Sequence, residues 1–79
     1  MSRWIRSGKT IIGNGEQTIR YESYLTPCMV ESRRRAVKHA NGIGDWFHTT
    51  YVVIYPDGAE KEFWSLKAAQ RAAESVAAR

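Results

Sequence analysis

From Thr49 to Tyr55 every residue is β-branched or aromatic, the composition of a strand on a pleated, half-buried surface. Pro56-Asp57-Gly58 comes next. Pro presets φ for the first turn position, Asp tolerates the second, and Gly accepts the left-handed conformation that completes the reversal. Glu60 to Trp64 then returns as the partner strand. Pairing across this turn puts Tyr51, Val53, Tyr55, Lys61 and Phe63 on one face and Val52, Ile54, Glu60, Glu62 and Trp64 on the other. Beyond Trp64 the spacing changes from two to that of a helix. Ser65 supplies an N-cap, and 66–78 is rich in Ala with no Gly or Pro. Leu66, Ala69, Ala73 and Val76 recur along one side of that helix, as a stripe that packs on a sheet does.

The first 25 residues read as another hairpin. Asn14-Gly15 is a strong signal for a two-residue turn that needs positive φ at both positions. Turning there pairs Ile12 with Gln17, Thr10 with Ile19 and Lys9 with Arg20. One face collects Trp4, Ile12, Ile19, Tyr21 and Leu25; the other collects Lys9, Arg20, Glu22 and Tyr24. Thr26-Pro27 follows as a helix start, with Thr as N-cap and Pro at the first helical position. The pattern predicts a helix over 27–40, stopped by Asn41-Gly42. Met29, Val30, Ala36, Val37 and Ala40 form its apolar stripe, although Arg33 falls inside it. A rival reading makes Met29–Glu31 and Arg35–Ala40 short strands. The expected fold is one α+β domain over 1–79, in the order ββαββα. Its antiparallel sheet of about four strands, from two hairpins, packs on a C-terminal helix and a central helix.

Composition narrows the class. A chain of 79 residues buries roughly 60% of its unfolded surface, enough for a modest core. Cys28 is the one cysteine, so no intramolecular disulfide forms, which fits a reducing compartment. No apolar run reaches the roughly 18 residues of a membrane span, and the N-terminus does not lead into a signal-peptide core. The expectation is a cytoplasmic protein with no membrane partner. The net charge is +4 and lies in one half. Residues 1–40 hold eight Lys/Arg against three acidic residues, whereas 41–79 hold four against five. That asymmetry points to an anionic partner, nucleic acid first.

Catalytic and metal motifs fail on inspection. Ser7-Gly8-Lys9-Thr10 has the end of a phosphate-binding loop, but the required upstream glycine position is Arg3. Gly13-Asn14-Gly15 and Gly42-Ile43-Gly44 begin a dinucleotide pattern whose third glycine would be Thr18 or Phe47. Cys28 has no base placed beside it by sequence. Cys28, His39, Asp45 and His48 match no zinc spacing. Asp57 is used by the turn, and Glu60 and Glu62 belong to a solvated strand face, so no acid–base pair in a cleft is expected. The reading is therefore no enzyme, no cofactor, no small-molecule substrate and no metal. Arg33-Arg34-Arg35 with Lys38 is the strongest binding candidate, because guanidinium groups grip phosphate through two parallel hydrogen bonds. Arg20 and Lys9 extend it along the first hairpin. The alternative is a protein-binding surface built from Trp46, Phe47 and Trp64 with Glu60 and Glu62.

The run from Tyr51 to Gly58, followed by Phe63, Ser65, Lys67-Ala68-Ala69 and Ala72-Ala73, resembles small sheet-plus-helix DNA-binding modules. These are the arm-type N-terminal domains of phage integrases and the AP2-like domains. The likeness spans residues 47–78 and rests on hairpin and helix grammar. It implies a three-stranded sheet that reads the major groove, with a capped Ala-rich helix behind it. The third strand would come from the first hairpin or from Arg35–Ala40. No residue role is transferred. In size and basic character the chain is also similar to phage accessory proteins, anti-CRISPR proteins among them. That likeness implies a binder and inhibitor of a host protein or nucleoprotein complex.

Overall fold

The computed structural model describes residues 3–13, 15–38 and 45–76; the side chains of Lys38, Asp45 and Trp46 lie outside that description. Five strands and one helix follow in sequence: β1 (Trp4–Gly13), β2 (Glu16–Ser23), β3 (Met29–Lys38), β4 (Asp45–Ile54), β5 (Glu60–Phe63) and α1 (Leu66–Glu74). The strands form one antiparallel sheet in the order β1-β2-β3-β4-β5, each beside its sequence neighbours. No helix among the described residues is long and apolar enough to cross a membrane.

The predicted central helix is not formed, and the ββαββα order is corrected accordingly. Its region is β3, a ten-residue strand paired with β4 from Met29↔Ile54 to Lys38↔Asp45 without a register shift. The helical stripe carried Arg33 on its apolar side. A period of two removes that conflict, because Val30 and Arg33 then point to opposite faces. Thr26 and Pro27 lead into the strand instead of capping a helix. The Thr26 hydroxyl still accepts from Cys28 N–H at 3.1 Å, and it donates to the Ala73 carbonyl at 2.6 Å, tying the entry of β3 to the end of α1.

The second hairpin forms where the sequence places it, and the C-terminal helix starts there but ends at Glu74, with Ser75 as its C-cap and Val76 beyond it. Tyr51 pairs with Phe63 and Val53 with Lys61. Gly58 takes φ +92°, the conformation that the turn after Pro56-Asp57 requires of it. Ser65 caps α1 by accepting from Ala68 N–H at 3.1 Å. Ala69 and Ala73 are fully buried and let the helix lie close on Val30, Val53 and Cys28; Trp4, Tyr21, Tyr51, Tyr55, Phe63, Leu66, Ala72 and Val76 surround them. This is the core, and the sheet surface that carries it is the helix face.

The first hairpin is correct in topology and displaced in register. Gly13 pairs with Glu16, as a turn at 14–15 demands, although Asn14 itself lies outside the described residues. Ile12 is then a bulge: Ile11 pairs with Gln17, Thr10 with Thr18, Lys9 with Ile19 and Gly8 with Arg20. One extra residue flips every side chain that precedes it to the other face. Lys9 therefore shares the face of Ile19 and does not oppose Arg20. Ile12, expected in the core, is 52% exposed. A second irregularity at Ser7 shifts the register again, leaving Trp4 on the core side opposite Ser23.

Helix α1 rests on β3, β4 and β5. Nine helical residues span about 14 Å, against about 33 Å for a ten-residue strand. The strands therefore run well past the helix, and the far end of the helix face is open to solvent.

Candidate functional site

The three consecutive arginines of β3 are separated by the strand. Arg33 and Arg35 project from the face opposite the helix, and Arg34 projects from the helix face. The two environments differ chemically.

On the face opposite the helix, Glu31 is 7% exposed and sits between two arginines. Its Oε2 accepts from Arg20 Nη2 at 3.1 Å, and its Oε1 lies 2.8 Å from Arg33 Nη2. Arg33 also forms a two-pronged pair with Glu60, Nη1 to Oε1 and Nη2 to Oε2, both at 3.1 Å. Such parallel hydrogen bonds hold a guanidinium in one orientation. The pair reaches from β3 to β5 across β4. Val52 lies beneath that span and is 1% exposed although no helix covers it. The Glu60 hydrogen bond is the main cause that raises the Arg33 pKa, with burial opposing it and Glu31 adding to it. The same hydrogen bond, with the Arg33 charge, lowers the Glu60 pKa. Arg35 donates from Nη1 to the Gln17 carbonyl at 3.0 Å and from Nη2 to Thr18 Oγ1 at 2.9 Å.

These contacts change the reading of the arginine patch. Arg20, Arg33 and Arg35 share their face with Glu16, Glu22, Glu31, Glu60 and Glu62 by register. The acidic residues outnumber the basic ones, and each of the three arginines already has a protein partner. This face is a hydrogen-bonded ionic layer over Val52.

On the helix face the pattern is reversed. Register places Arg6 opposite Tyr21, Lys9 opposite Ile19, Arg34 opposite Thr49 and Lys61 opposite Val53. Among the strand residues whose side chains are described, none that shares this face is acidic; β4 begins at Asp45, paired with Lys38. Lys61 lies 5.6 Å from the Phe63 ring centroid. The Arg34 guanidinium stands 4.2 Å from the Phe47 ring centroid, within cation–π range. It has no carboxylate partner among the described residues.

Phe47 is held from below as well. A side-chain carbon at Gly15 would stand 2.5 Å from the Phe47 ring, so the ring lies against bare backbone. Gly15 also takes φ +82°, which favours glycine on separate grounds. Ala36, opposite Phe47 on β3, leaves room between them. Phe47 is 37% exposed. Together Gly15, Ala36, Phe47 and Arg34 make a flat aromatic–cationic platform beyond the reach of the helix.

Lys38 ends β3 and Trp46 lies in β4, but their side chains are outside the description, as is the whole of His39. Trp64 is 93% exposed just after β5. Cys28 is buried in the core beside α1, and His48 is exposed toward the other end of the sheet. The division of the arginine triplet and the Gly15–Phe47 contact were missed by the sequence reading. The signal for the first was the misfit of Arg33 in the helical stripe. The second has no local signal, because Gly15 and Phe47 meet only through β2, β3 and β4. Comparison of the chain with protein-family models, curated proteins and solved structures found no match.

Proposed function

We propose that this chain binds nucleic acid through the uncovered part of its helix face, with Arg34, Lys9 and Arg6 as the phosphate contacts and Phe47 as the stacking support. The observation that carries the reading is the segregation of charge between the two faces. Among the strand residues whose side chains are described, the helix face has basic residues without acidic ones, whereas the opposite face neutralises its own arginines. A guanidinium stacked on an aromatic ring has lost most of its conformational freedom, keeps its charge, and presents its outer plane and edges to a phosphate or a base. The site is an open surface with no enclosing walls, which suits an extended strand of nucleic acid better than a small molecule.

The test is fluorescence anisotropy with labelled single-stranded DNA, single-stranded RNA and duplex DNA over a range of salt. Three phosphate contacts give a slope of log K against log salt of about −2 for a single strand. Arg34→Ala and Phe47→Ala each weaken binding by about tenfold, the scale of one lost stacking or charge contact. Arg33→Ala and Arg20→Ala leave affinity within about twofold, since their charges are already paired. Absence of binding at low salt, a flat salt slope, or an Arg33→Ala loss equal to that of Arg34→Ala overturns the reading.

A further inference from the structure

The sheet has two outer edges, and they are guarded unequally. The β1 edge carries two register irregularities together with Arg6 and Lys9, features that resist pairing with another strand. The β4 edge is covered by β5 only from Ile54 back to Tyr51, where the pairing ends at Phe63. Before Tyr51, β4 continues without a described strand beside it. Its sequence there, Phe47-His48-Thr49-Thr50, has no proline, lysine or bulge.

The direction of the backbone groups on that edge follows from the turn. Tyr55 N–H donates to the Ala59 carbonyl at 2.8 Å, and the Tyr55 carbonyl accepts from Gly58 N–H at 2.9 Å, so Tyr55 faces the β5 side. Strand residues turn their polar backbone groups to alternate sides, and no shift interrupts the β4 pairings. Val53, Tyr51, Thr49 and Phe47 therefore turn the same way as Tyr55. Val53 and Tyr51 meet Lys61 and Phe63; Thr49 and Phe47 meet no described strand. A cleft of about 180 Å³ opens at this point, lined by His48, Thr49, Thr50, Glu62, Phe63 and Trp64. Glu62 is exposed there with no ion pair among the described residues, and the Trp64 indole beside it is 93% exposed.

We infer that the open edge of β4 at Phe47–Thr50 accepts an extended peptide from a protein partner, with a Lys or Arg of that peptide seated between Glu62 and Trp64. Backbone pairing supplies the attachment, as in other cases of strand addition to a free edge. The side-chain preference comes from charge. A peptide residue opposite Thr50 or His48 projects from the face that holds Glu62, where a cation meets the carboxylate and the indole ring. The surface shares Phe47 with the Arg34 platform but uses the backbone edge of that residue and not its ring, and it does not rest on the nucleic-acid reading.

The experiment pans a phage-displayed random peptide library against the intact protein and measures the synthetic winners by titration and by amide hydrogen exchange. The expected winners alternate β-branched residues with a Lys or Arg, and they slow exchange at Thr49 by at least about tenfold. N-methylation of the peptide at every second residue abolishes binding in one phase and spares it in the other. Trp64→Ala and Glu62→Lys each weaken binding by about tenfold, and both sites are exposed enough to leave the fold intact. Arg34→Ala has no effect on peptide affinity. A library without winners, winners without a cation, unchanged Thr49 exchange, variants that bind as the parent does, or a second copy of this chain occupying the edge in sedimentation would each overturn the inference.

Discussion

Arg33 and Arg34 are neighbours in sequence and belong to different molecules in all but covalent terms. On the face opposite the helix, Arg33 is locked to Glu31 and Glu60 and shelters Val52. On the helix face, Arg34 lies on Phe47 and answers to no carboxylate among the described residues. The difference teaches that a run of like charges in a strand is not one patch. Alternation divides it, and the cross-strand partners on each face decide whether a given charge is structural or available. The same holds for the two buried valines. Val53 is roofed by apolar helix and aromatic side chains, Val52 by an ion pair.

The largest effect expected from this comparison is at the valines. Val53→Ala destabilises the protein by about 2 kcal/mol in urea unfolding, because rigid helix and sheet cannot close the gap. Val52→Ala loses about 1 kcal/mol, since the long side chains above it can settle into the space. Equal losses at both positions would mean that the ionic roof is as rigid as the helix.

Next in size is the buried carboxylate. Glu31→Gln lowers stability by about 1–2 kcal/mol, leaving Arg20 and Arg33 each short of a charged partner. Arg34→Gln stays within about 0.5 kcal/mol of the parent, as a surface change does. The two faces would have to be read as equivalent if thermal unfolding ranked these variants together.

The smallest effect is a dependence on acid. The folded-state pKa of Glu60 is lowered by Arg33, so its contribution is complete above the unfolded carboxylate pKa of about 4.3. That contribution fades as pH falls through the lowered folded value. Arg33, whose pKa is raised, adds no pH dependence below the ordinary arginine range. Stability curves of the parent and Glu60→Gln, measured from neutral pH into acid, should converge as pH falls. Parallel curves would show that the Arg33–Glu60 pair contributes nothing through charge.

The second hairpin and α1 were legible because their signals are local: Pro56-Asp57-Gly58, the Ser65 cap, and alanines at helical spacing. The central segment was not, because its two readings differ in what lies beside it. Met29–Lys38 contains residues that either element accepts, and the choice is made by β4, whose ten residues need a partner along their whole length. The bulge at Ile12 was hidden for a related reason. The turn at 14–15 specifies the pair Gly13–Glu16, but the choice between Ile11 and Ile12 as the next paired residue depends on the whole sheet. The arginine triplet stood out in the sequence; its division followed only once the segment was a strand.

The bulges of β1 carry one more consequence. A sheet with two receptive edges can grow from both, each molecule serving as donor to one neighbour and acceptor to the next, and such head-to-tail contacts propagate into fibres. Here the irregular, cationic first strand does not offer the mating surface that the β4 edge would need in a second copy. Head-to-tail growth by edge pairing is therefore disfavoured at the β1 edge, and pairing at the β4 edge alone closes after two copies.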